Sequence, residues 1–190
     1  MKTTSDVFER VRRRLGEVDQ VLDEMDPSAA DRAIELIADA PAIFVTGKGR
    51  TGYVAQCFAM RLMQMGFVVH VPGEATCPRI GADDLMFSLS CSGTTATTVE
   101  MTRISRKSGA RIVAVTANAD SPLAQLAHQL ILVPVSGEKF PHAESTVLGP
   151  YNNTLFEEAM LLYFDALVYS LLERENIPRG RLSERHTNLE

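Results

Sequence analysis

Two short loops carry the residue types that bind phosphate. The first covers residues 47–52 and reads Gly-Lys-Gly-Arg-Thr-Gly, and the second covers residues 90–95 and reads Ser-Cys-Ser-Gly-Thr-Thr. Each loop follows an apolar run typical of a buried strand and precedes a segment typical of a helix. A helix N-terminus has unpaired backbone N–H groups and a partial positive charge, so it attracts anions. Glycines and hydroxyl side chains let donors come close to phosphate oxygens. The two loops together predict a site for a small phosphorylated molecule.

A pair of glutamates supplies the candidate for proton transfer. Glu157 and Glu158 lie near the start of a long C-terminal helical pattern. Acidic residues in a first turn often only compensate the helix dipole. Phe156 before them and Met160 after them make this helix apolar on one face, so one carboxylate of the two could equally point inward. A partly desolvated carboxylate has a raised pKa and can serve as a general base.

Five apolar runs alternate with helical patterns and must position these residues. The predicted strands cover residues 42–46, 67–71, 84–89, 111–116 and 129–133. One predicted helix precedes the strands at residues 29–38, and the others between and after them cover residues 51–65, 95–108, 122–127 and 153–173. Residues 176–190 are expected to be irregular. Apolar strands alternating with helices indicate an α/β fold with a parallel sheet covered on both faces. For strand order 2-1-3-4-5 the winding reverses between the first and third strands, which carry the two loops, and ligands bind at such a point.

An apolar stripe marks a further helix at the N-terminus. Its members recur at spacings of three and four: Phe8, Val11, Leu15, Val18, Leu22 and Met25. This spacing is typical of an amphipathic helix. A regular stripe ahead of the first strand needs a surface to cover it, so we expect it to be partly buried between subunits. Packing against the chain's own sheet is the alternative.

The composition is that of an ordinary globular protein. The 190 residues fit one domain, with 45% hydrophobic and 23% charged residues. A net charge of -5 argues against general nucleic-acid binding, although Lys48, Arg50, Arg61 and Arg79 could make one pocket locally positive. The three cysteines have no paired spacing and indicate reduced thiols. No apolar run reaches the roughly 18 residues of a membrane helix and no signal peptide is recognised, so a cytoplasmic location is expected.

The first loop also matches the dinucleotide-binding pattern. Gly47, Gly49 and Gly52 have its spacing, and Glu74 follows about 20 residues on, where an acidic ribose ligand is expected. Against that interpretation stand the two cations inside the loop and the hydroxyl cluster of the second loop. A second mononucleotide-binding half is also missing after the fifth strand. A metal site is not expected, because no pair of the four histidines has metal-ligand spacing with a third ligand.

Further segments join the two loops in a larger pattern. They cover residues 58–63, 72–76, 121–124, 154–157 and 185–190. From about residue 43 to the end, the chain resembles the sugar isomerase (SIS) domain family and, within it, the 6-phospho-3-hexuloisomerases. The last two segments are specific to that branch. The chain departs from the family at Thr51, where serine is usual, and at Cys91 and Thr94, within a stretch that usually reads Gly-Ser-Gly-Glu.

The resemblance implies a five-stranded parallel α/β/α sandwich of flavodoxin-like strand order that assembles into a homotetramer. It implies interconversion of D-arabino-3-hexulose 6-phosphate and fructose 6-phosphate through a 2,3-enediol, in formaldehyde assimilation by the ribulose monophosphate pathway or in pentose supply. Glu157 would be the base, and His186, reaching into a neighbouring subunit's pocket, would move hydroxyl protons. Neither a metal nor a redox cofactor is needed. The predicted phosphate ligands are Gly49, Arg50, Thr51, Ser90, Ser92, Thr94 and Thr95.

These expectations divide one domain into three segments. Residues 1–40 form an N-terminal helical segment, residues 41–175 the SIS phosphosugar-binding core, and residues 176–190 a C-terminal tail. The expected partners are a phosphorylated ketohexose and further copies of the chain, with neither nucleic acid nor membrane. Two alternatives remain open: another SIS isomerase, such as an arabinose 5-phosphate isomerase, and a non-catalytic SIS module that binds a phosphosugar.

Overall fold

The computed structural model describes residues 5–135 and 152–189. Its strands are β1 (Ile43–Thr46), β2 (Val69–His70), β3 (Leu85–Leu89), β4 (Arg111–Thr116) and β5 (Gln129–Leu132). Its helices are α1 (Ser5–Asp23), α2 (Pro27–Asp39), α3 (Gly49–Met65), α4 (Ala96–Lys107), α5 (Asn153–Arg174) and α6 (Gly180–Glu184). The predicted core and tail segments also include residues 136–151 and 190, which lie outside the described ones.

The five strands form one parallel sheet in the order β2-β1-β3-β4-β5. β1 lies between β2 and β3, because Ile43 is the register partner of both Val69 and Leu85. The predicted order 2-1-3-4-5 is therefore confirmed, and with it the reversal of winding between β1 and β3. The two strands that precede the candidate phosphate loops are hydrogen-bonded neighbours.

Helices cover both faces of the sheet. On one face, Val45 and Phe87 pack into a core shared with α1, α2, α3 and α5. On the other face, Ala114 packs with Val99 of α4 and with Leu123. All five residues of β3 are buried, as expected for a strand covered on both sides. The predicted α/β/α sandwich is confirmed.

Three phenylalanines join α3 and α5 above the centre of the sheet. Phe58 of α3 stacks on Phe164 of α5 with ring centroids 4.5 Å apart, and both rings meet Phe87 of β3 edge-on. All three side chains are buried. Buried aromatic pairs of this geometry contribute about 0.5–1.5 kcal/mol beyond the area that they bury. This cluster holds the two helices side by side; the polar residues of the site lie in the first turn of α3 and one turn into α5.

The N-terminal stripe divides into two halves. Val18 is buried, and Leu22 and Met25 are partly buried, against the chain's own core, where α1 packs on α5. Phe8, Val11 and Leu15 remain 49–59% exposed. Packing within the chain therefore accounts for the second half of the stripe. The first half presents an apolar surface that this single chain does not cover.

Two segments differ from the predicted secondary structure. The helix predicted at residues 122–127 is only a 3-10 turn, Ala124–Leu126. The backbone N–H of Leu123 donates to the carbonyl of Gly93, so the segment is held against the second loop before an α-helix can start. In the tail, predicted to be irregular, α6 forms because Leu182 packs against the core.

Candidate functional site

The first loop turns tightly into α3 because three of its positions are glycine. Gly49 has φ +60, a conformation that L side chains rarely adopt. A Cβ on Gly52 would lie 2.9 Å from the carbonyl oxygen of Gly47, so the backbone could not make this approach with another residue. α3 begins at Gly49, which places Arg50 and Thr51 in its first turn. The backbone N–H groups of that turn have no partner within the helix.

The second loop is shaped by hydrogen bonds among its own hydroxyls. Ser90 is buried, and its Oγ accepts from the N–H of Gly93 at 3.1 Å and lies 2.9 Å from the Oγ1 of Thr95. The hydroxyls of Ser92 and Thr94 form a second pair, also 2.9 Å apart. Thr95 is the N-cap residue of α4, but its side chain makes no capping hydrogen bond. The start of α4 therefore offers its backbone donors together with four hydroxyl groups.

The two loops leave the sheet side by side. Thr46 at the end of β1 is the register partner of Ser88 in β3. The carboxyl ends of these strands therefore meet at one edge, where α3 and α4 both begin. Two helix N-termini directed at one place make an anion site stronger than either does alone.

Glu157 is the buried member of the glutamate pair. Its residue exposure is 6%, whereas the side chain of Glu158 is 33% exposed. α5 begins one turn earlier, where Asn152 caps it by accepting from the N–H of Leu155 at 3.0 Å. From this position Glu157 points toward the first turn of α3. The sequence left the choice between the two carboxylates open, and packing of α5 on α3 decides it.

The first candidate phosphate loop contacts this carboxylate directly. The hydroxyl of Thr51 donates to Oε1 of Glu157 at 2.9 Å, and both groups are buried. The Nε of Arg50 lies 3.0 Å from Oε2. Two predicted phosphate ligands and the predicted base are therefore in direct contact.

The surroundings of Glu157 make it more basic than an exposed glutamate. Burial raises the pKa of Glu157, since desolvation disfavours the charged form. The hydrogen bond from Thr51 and the charge of Arg50 act against this rise, while the nearby Glu158 adds to it. The net shift is upward. A carboxylate with a raised pKa accepts a proton from carbon more readily, provided that it is ionised at the working pH.

Comparison with known proteins decides the family. The SIS domain family model matches residues 36–157, a range that includes both loops and ends at the buried glutamate. This chain belongs to the SIS domain family. A protein of Mycobacterium gastri named 3-hexulose-6-phosphate isomerase is 38% identical over 90% of this chain and 87% of its own length. A protein of the same name from Bacillus subtilis is 31% identical over 91% of this chain and 97% of its own length.

A solved structure gives the same result for the fold. The crystal structure of a hypothetical protein from Methanococcus jannaschii superposes with a TM-score of 0.78. A molecular function of 3-hexulose-6-phosphate isomerase was inferred for that protein from its structure. It is 28% identical, and the match covers 97% of this chain and 99% of that one. The resemblance to the hexuloisomerase branch of the SIS family is confirmed.

The departures of this SIS domain protein from the family pattern lie at the site. Cys91 is buried, and its carbonyl oxygen accepts from the Thr116 hydroxyl at 3.0 Å. Burial, together with the charge of Glu157, raises the pKa of the Cys91 thiol to about 12, so it stays protonated at neutral pH. Thr94 is exposed and pairs with Ser92. The buried side chain of Cys91 lies near the candidate base Glu157, and Thr94 keeps an exposed hydroxyl on the second loop.

His186 lies in a different part of this SIS domain protein. It follows α6, whose Leu182 lines a small pocket together with Arg61 of α3 and Tyr169 of α5. Arg61 is ten residues beyond Thr51, a distance of about 15 Å along a helix. In the described part of the chain, the charged groups that shift the pKa of Glu157 are Arg50 and Glu158, and His186 is not one of them. Arg61 is likewise remote from the loops, so it does not add to a positive pocket there.

Neither a metal cluster nor a membrane span is found within residues 5–135 and 152–189. No group of three His, Cys, Asp or Glu side chains is placed to hold a metal ion in these ranges. None of the described helices combines the length and the apolar character needed to cross a membrane.

Proposed function

We propose that this protein is a sugar-phosphate isomerase that interconverts D-arabino-3-hexulose 6-phosphate and fructose 6-phosphate. The observation that carries the proposal is the hydrogen bond from Thr51 to the buried Glu157, which joins a phosphate loop to a general base. The relatives from Mycobacterium gastri and Bacillus subtilis, both named 3-hexulose-6-phosphate isomerase, support the choice of substrate.

Phosphate binding would orient the substrate. The N-termini of α3 and α4 offer backbone donors, and Ser90, Ser92, Thr94 and Thr95 offer hydroxyls that now pair with one another. A phosphate oxygen can replace the partner hydroxyl in each pair, so binding needs little rearrangement. Binding energy from a group remote from the reacting carbons is then available to hold C2 and C3 near the base.

Proton transfer would proceed through a 2,3-enediol. Glu157 removes the C2 proton of the 3-hexulose 6-phosphate as the C3 carbonyl oxygen takes up a proton. The resulting enediol loses its O2 proton, and Glu157 returns a proton to C3, which yields fructose 6-phosphate. The exchange between O2 and O3 needs a second acid/base group. His186 of a neighbouring subunit fills this role in the proposal, because within one chain it follows α6, remote from the base.

The test is direct turnover of the purified protein. With 3-hexulose 6-phosphate as substrate, we expect fructose 6-phosphate to form, detected by a coupled assay. Arabinose 5-phosphate serves as the comparison substrate. Turnover of arabinose 5-phosphate alone would replace the proposal with another SIS isomerase, and turnover of neither sugar with retained binding would favour a non-catalytic module.

The phosphate site leads to a prediction for Ser92. Ser92→Ala is expected to weaken the binding of fructose 6-phosphate by about 1–3 kcal/mol, because a donor to a buried phosphate oxygen is lost. Isothermal calorimetry measures the change. Ser170→Ala, which removes an exposed hydroxyl near the far end of α5, is the matched control and should bind as the wild type does. Equal affinities for Ser92→Ala and the control would contradict the assignment.

The proposal includes assembly into a homotetramer, supported by a groove between α1 and α5. The groove encloses about 500 Å³, and its apolar lining consists of Val7, Val11, Leu15, Val18, Leu161 and Leu162. Most of these side chains are 40–58% exposed in the single chain. Contiguous apolar surface of this kind is typical of an interface between subunits. Glu158 also lines the groove, so an interface here would border the site.

Light scattering checks this part of the proposal. The wild type is expected at about four times the chain mass of 20.9 kDa. Leu15→Glu combined with Leu162→Glu should shift the mass toward smaller species. Assembly would then bury two carboxylates in an apolar interface without a partner of opposite charge, which is unfavourable. Ile104→Glu changes an apolar side chain of α4 that is 53% exposed and lies outside the groove, so its mass should not change. A wild-type monomer at micromolar concentration would refute the assembly.

A further inference from the structure

A line of four alternating charges runs from α1 to the proposed base. The Nε of Arg14 lies 3.2 Å from Oε2 of Glu158, and Oε1 of Glu158 lies 3.8 Å from Nη2 of Arg50. Arg50 in turn holds Oε2 of Glu157 at 3.0 Å through its Nε. Each inner member of the line is therefore shared between two groups of opposite charge.

We propose that Arg14 and Glu158 are positioning residues that set the basicity of Glu157 by controlling where the Arg50 guanidinium lies. The inference rests on the proposed role of Glu157 as the base. It extends the site to α1, since Arg14 precedes residues 36–157, the range that the family model matches.

The physical argument is competition for one guanidinium. Arg50 is 59% exposed and reaches two carboxylates, of which Glu157 is the more buried. Arg14 neutralises Glu158 from its other side, and this reduces the pull of Glu158 on Arg50. Arg14 is itself held at the opposite end by Glu17, 2.8 Å from its Nη1. Among the described residues Oε2 of Glu158 has no hydrogen-bond partner, so this ion pair acts through charge alone, and that charge is what leaves Arg50 on Glu157.

Every element packed around the base contributes a group to this balance. α3 supplies Arg50 and the hydroxyl of Thr51, and α5 supplies Glu158. The loop after β3 supplies the protonated thiol of Cys91. α1 contributes the pair of Arg14 and Glu17, which acts on Glu157 only through Glu158.

Opposite changes are expected from the two outer members. In Arg14→Gln, Glu158 loses a cation and draws Arg50 from Glu157, so the pKa of Glu157 should rise. In Glu158→Gln, a like charge disappears and Arg50 belongs to Glu157 alone, so the pKa should fall. A base must be ionised to act, so the acidic limb of the kcat/KM profile should move to higher pH in the first variant and to lower pH in the second. Each displacement should be about half a pH unit.

The double variant separates a relay from a direct effect. Because Arg14 acts through Glu158, Arg14→Gln combined with Glu158→Gln should match Glu158→Gln alone. Arg10→Gln removes the same charge one turn earlier on α1 and is the matched control. The acidic limb of its kcat/KM profile should stay where it is in the wild type. Arg14→Lys keeps a cation beside Glu158 and should restore the wild-type profile.

A titration of Glu157 in the resting protein distinguishes this inference from the proposed function. The carboxyl carbon signal of Glu157, assigned by its loss in Glu157→Gln, reports the pKa without any turnover. Opposite pKa shifts of Glu157 in Arg14→Gln and Glu158→Gln support the inference. If the pH profile of kcat/KM does not shift with them, the inference stands, but Glu157 is not the base. Equal shifts in Arg14→Gln and Arg10→Gln, or no shift in either outer variant, would overturn it. Should Arg14→Gln not fold, Arg14→Met takes its place, because it removes the same charge and keeps an unbranched apolar stem; an unmoved pKa of Glu157 in Arg14→Met would overturn the inference.

Discussion

Replacing Glu157 with glutamine is expected to lower kcat by about 10²- to 10⁴-fold, the usual loss when a general base is removed. The amide keeps the shape of the side chain, and its oxygen can still accept the hydrogen bond that Thr51 donates at 2.9 Å. The amide cannot take a proton from C2. The phosphate loops are untouched, so fructose 6-phosphate should still bind. The coupled isomerase assay measures the rate, and calorimetry measures the affinity.

Solvent exchange identifies the step that is lost. In deuterated water, the C2 proton of the substrate should exchange in the wild type and be retained in Glu157→Gln. Glu173→Gln, at an exposed position near the other end of α5, is the matched control and should keep full activity. Exchange at the wild-type rate in Glu157→Gln would show that another group removes the proton, and Glu158 would be the next candidate.

Gly93→Ala is expected to destabilise the protein by about 2–5 kcal/mol, from adding a left-handed backbone penalty to an overpacking penalty. Gly93 has φ +67, and a Cβ there would overlap the Oγ and Cβ atoms of Ser121 and lie 2.9 Å from the Oγ1 of Thr116. Both neighbours are buried, so neither can move away cheaply. Phosphosugar binding should fall with stability, since the displaced loop carries the hydroxyl pairs. Urea denaturation gives the free energy of unfolding.

Gly49→Ala separates the backbone penalty of Gly93→Ala from its overpacking penalty. Gly49 has nearly the same backbone conformation, φ +60, but nothing lies within 4 Å of its would-be Cβ. It should therefore lose only the backbone contribution of about 1–2 kcal/mol. Adding Ser121→Gly to Gly93→Ala removes the overlapping atoms and should recover part of the stability. Equal losses in Gly49→Ala and Gly93→Ala would show that the contact with Ser121 does not matter.

The large-scale organisation of this protein was readable from local patterns. Continuous apolar runs marked β1, β3 and β4, and the glycines and hydroxyls after two of them marked the loops at one edge of the sheet. These features are local, because a buried parallel strand and a helix N-terminus each depend on a few consecutive residues. The strand order 2-1-3-4-5 was an assumption, and it was this order that placed the reversal of winding between β1 and β3 and made the two loops neighbours.

Local patterns failed where neighbours in space compete for the same segment. The apolar stripe of α1 keeps its spacing of three and four throughout, yet Val18 is buried and Leu15 is 57% exposed. Leu15 lines the open groove between α1 and α5, whereas Val18 also reaches the core. The segment after β4 has helical residues, but its Leu123 N–H is bound to the Gly93 carbonyl and it forms only a 3-10 turn. In both cases the deciding partner is distant in the chain.

The sequence by itself predicted two glycine- and hydroxyl-rich loops beside each other and a carboxylate pair near the start of α5. Only the tertiary structure decided which carboxylate is buried, that Thr51 donates to it, and that Arg14 closes a line of charges to it through Glu158 and Arg50. The physical reason is that helical periodicity predicts which residues share one face of a helix, but not which other element packs against that face. Glu157 and Glu158 are adjacent in the chain and about 100° apart around the helix axis, so the rotation of α5 against α3 sets their different surroundings.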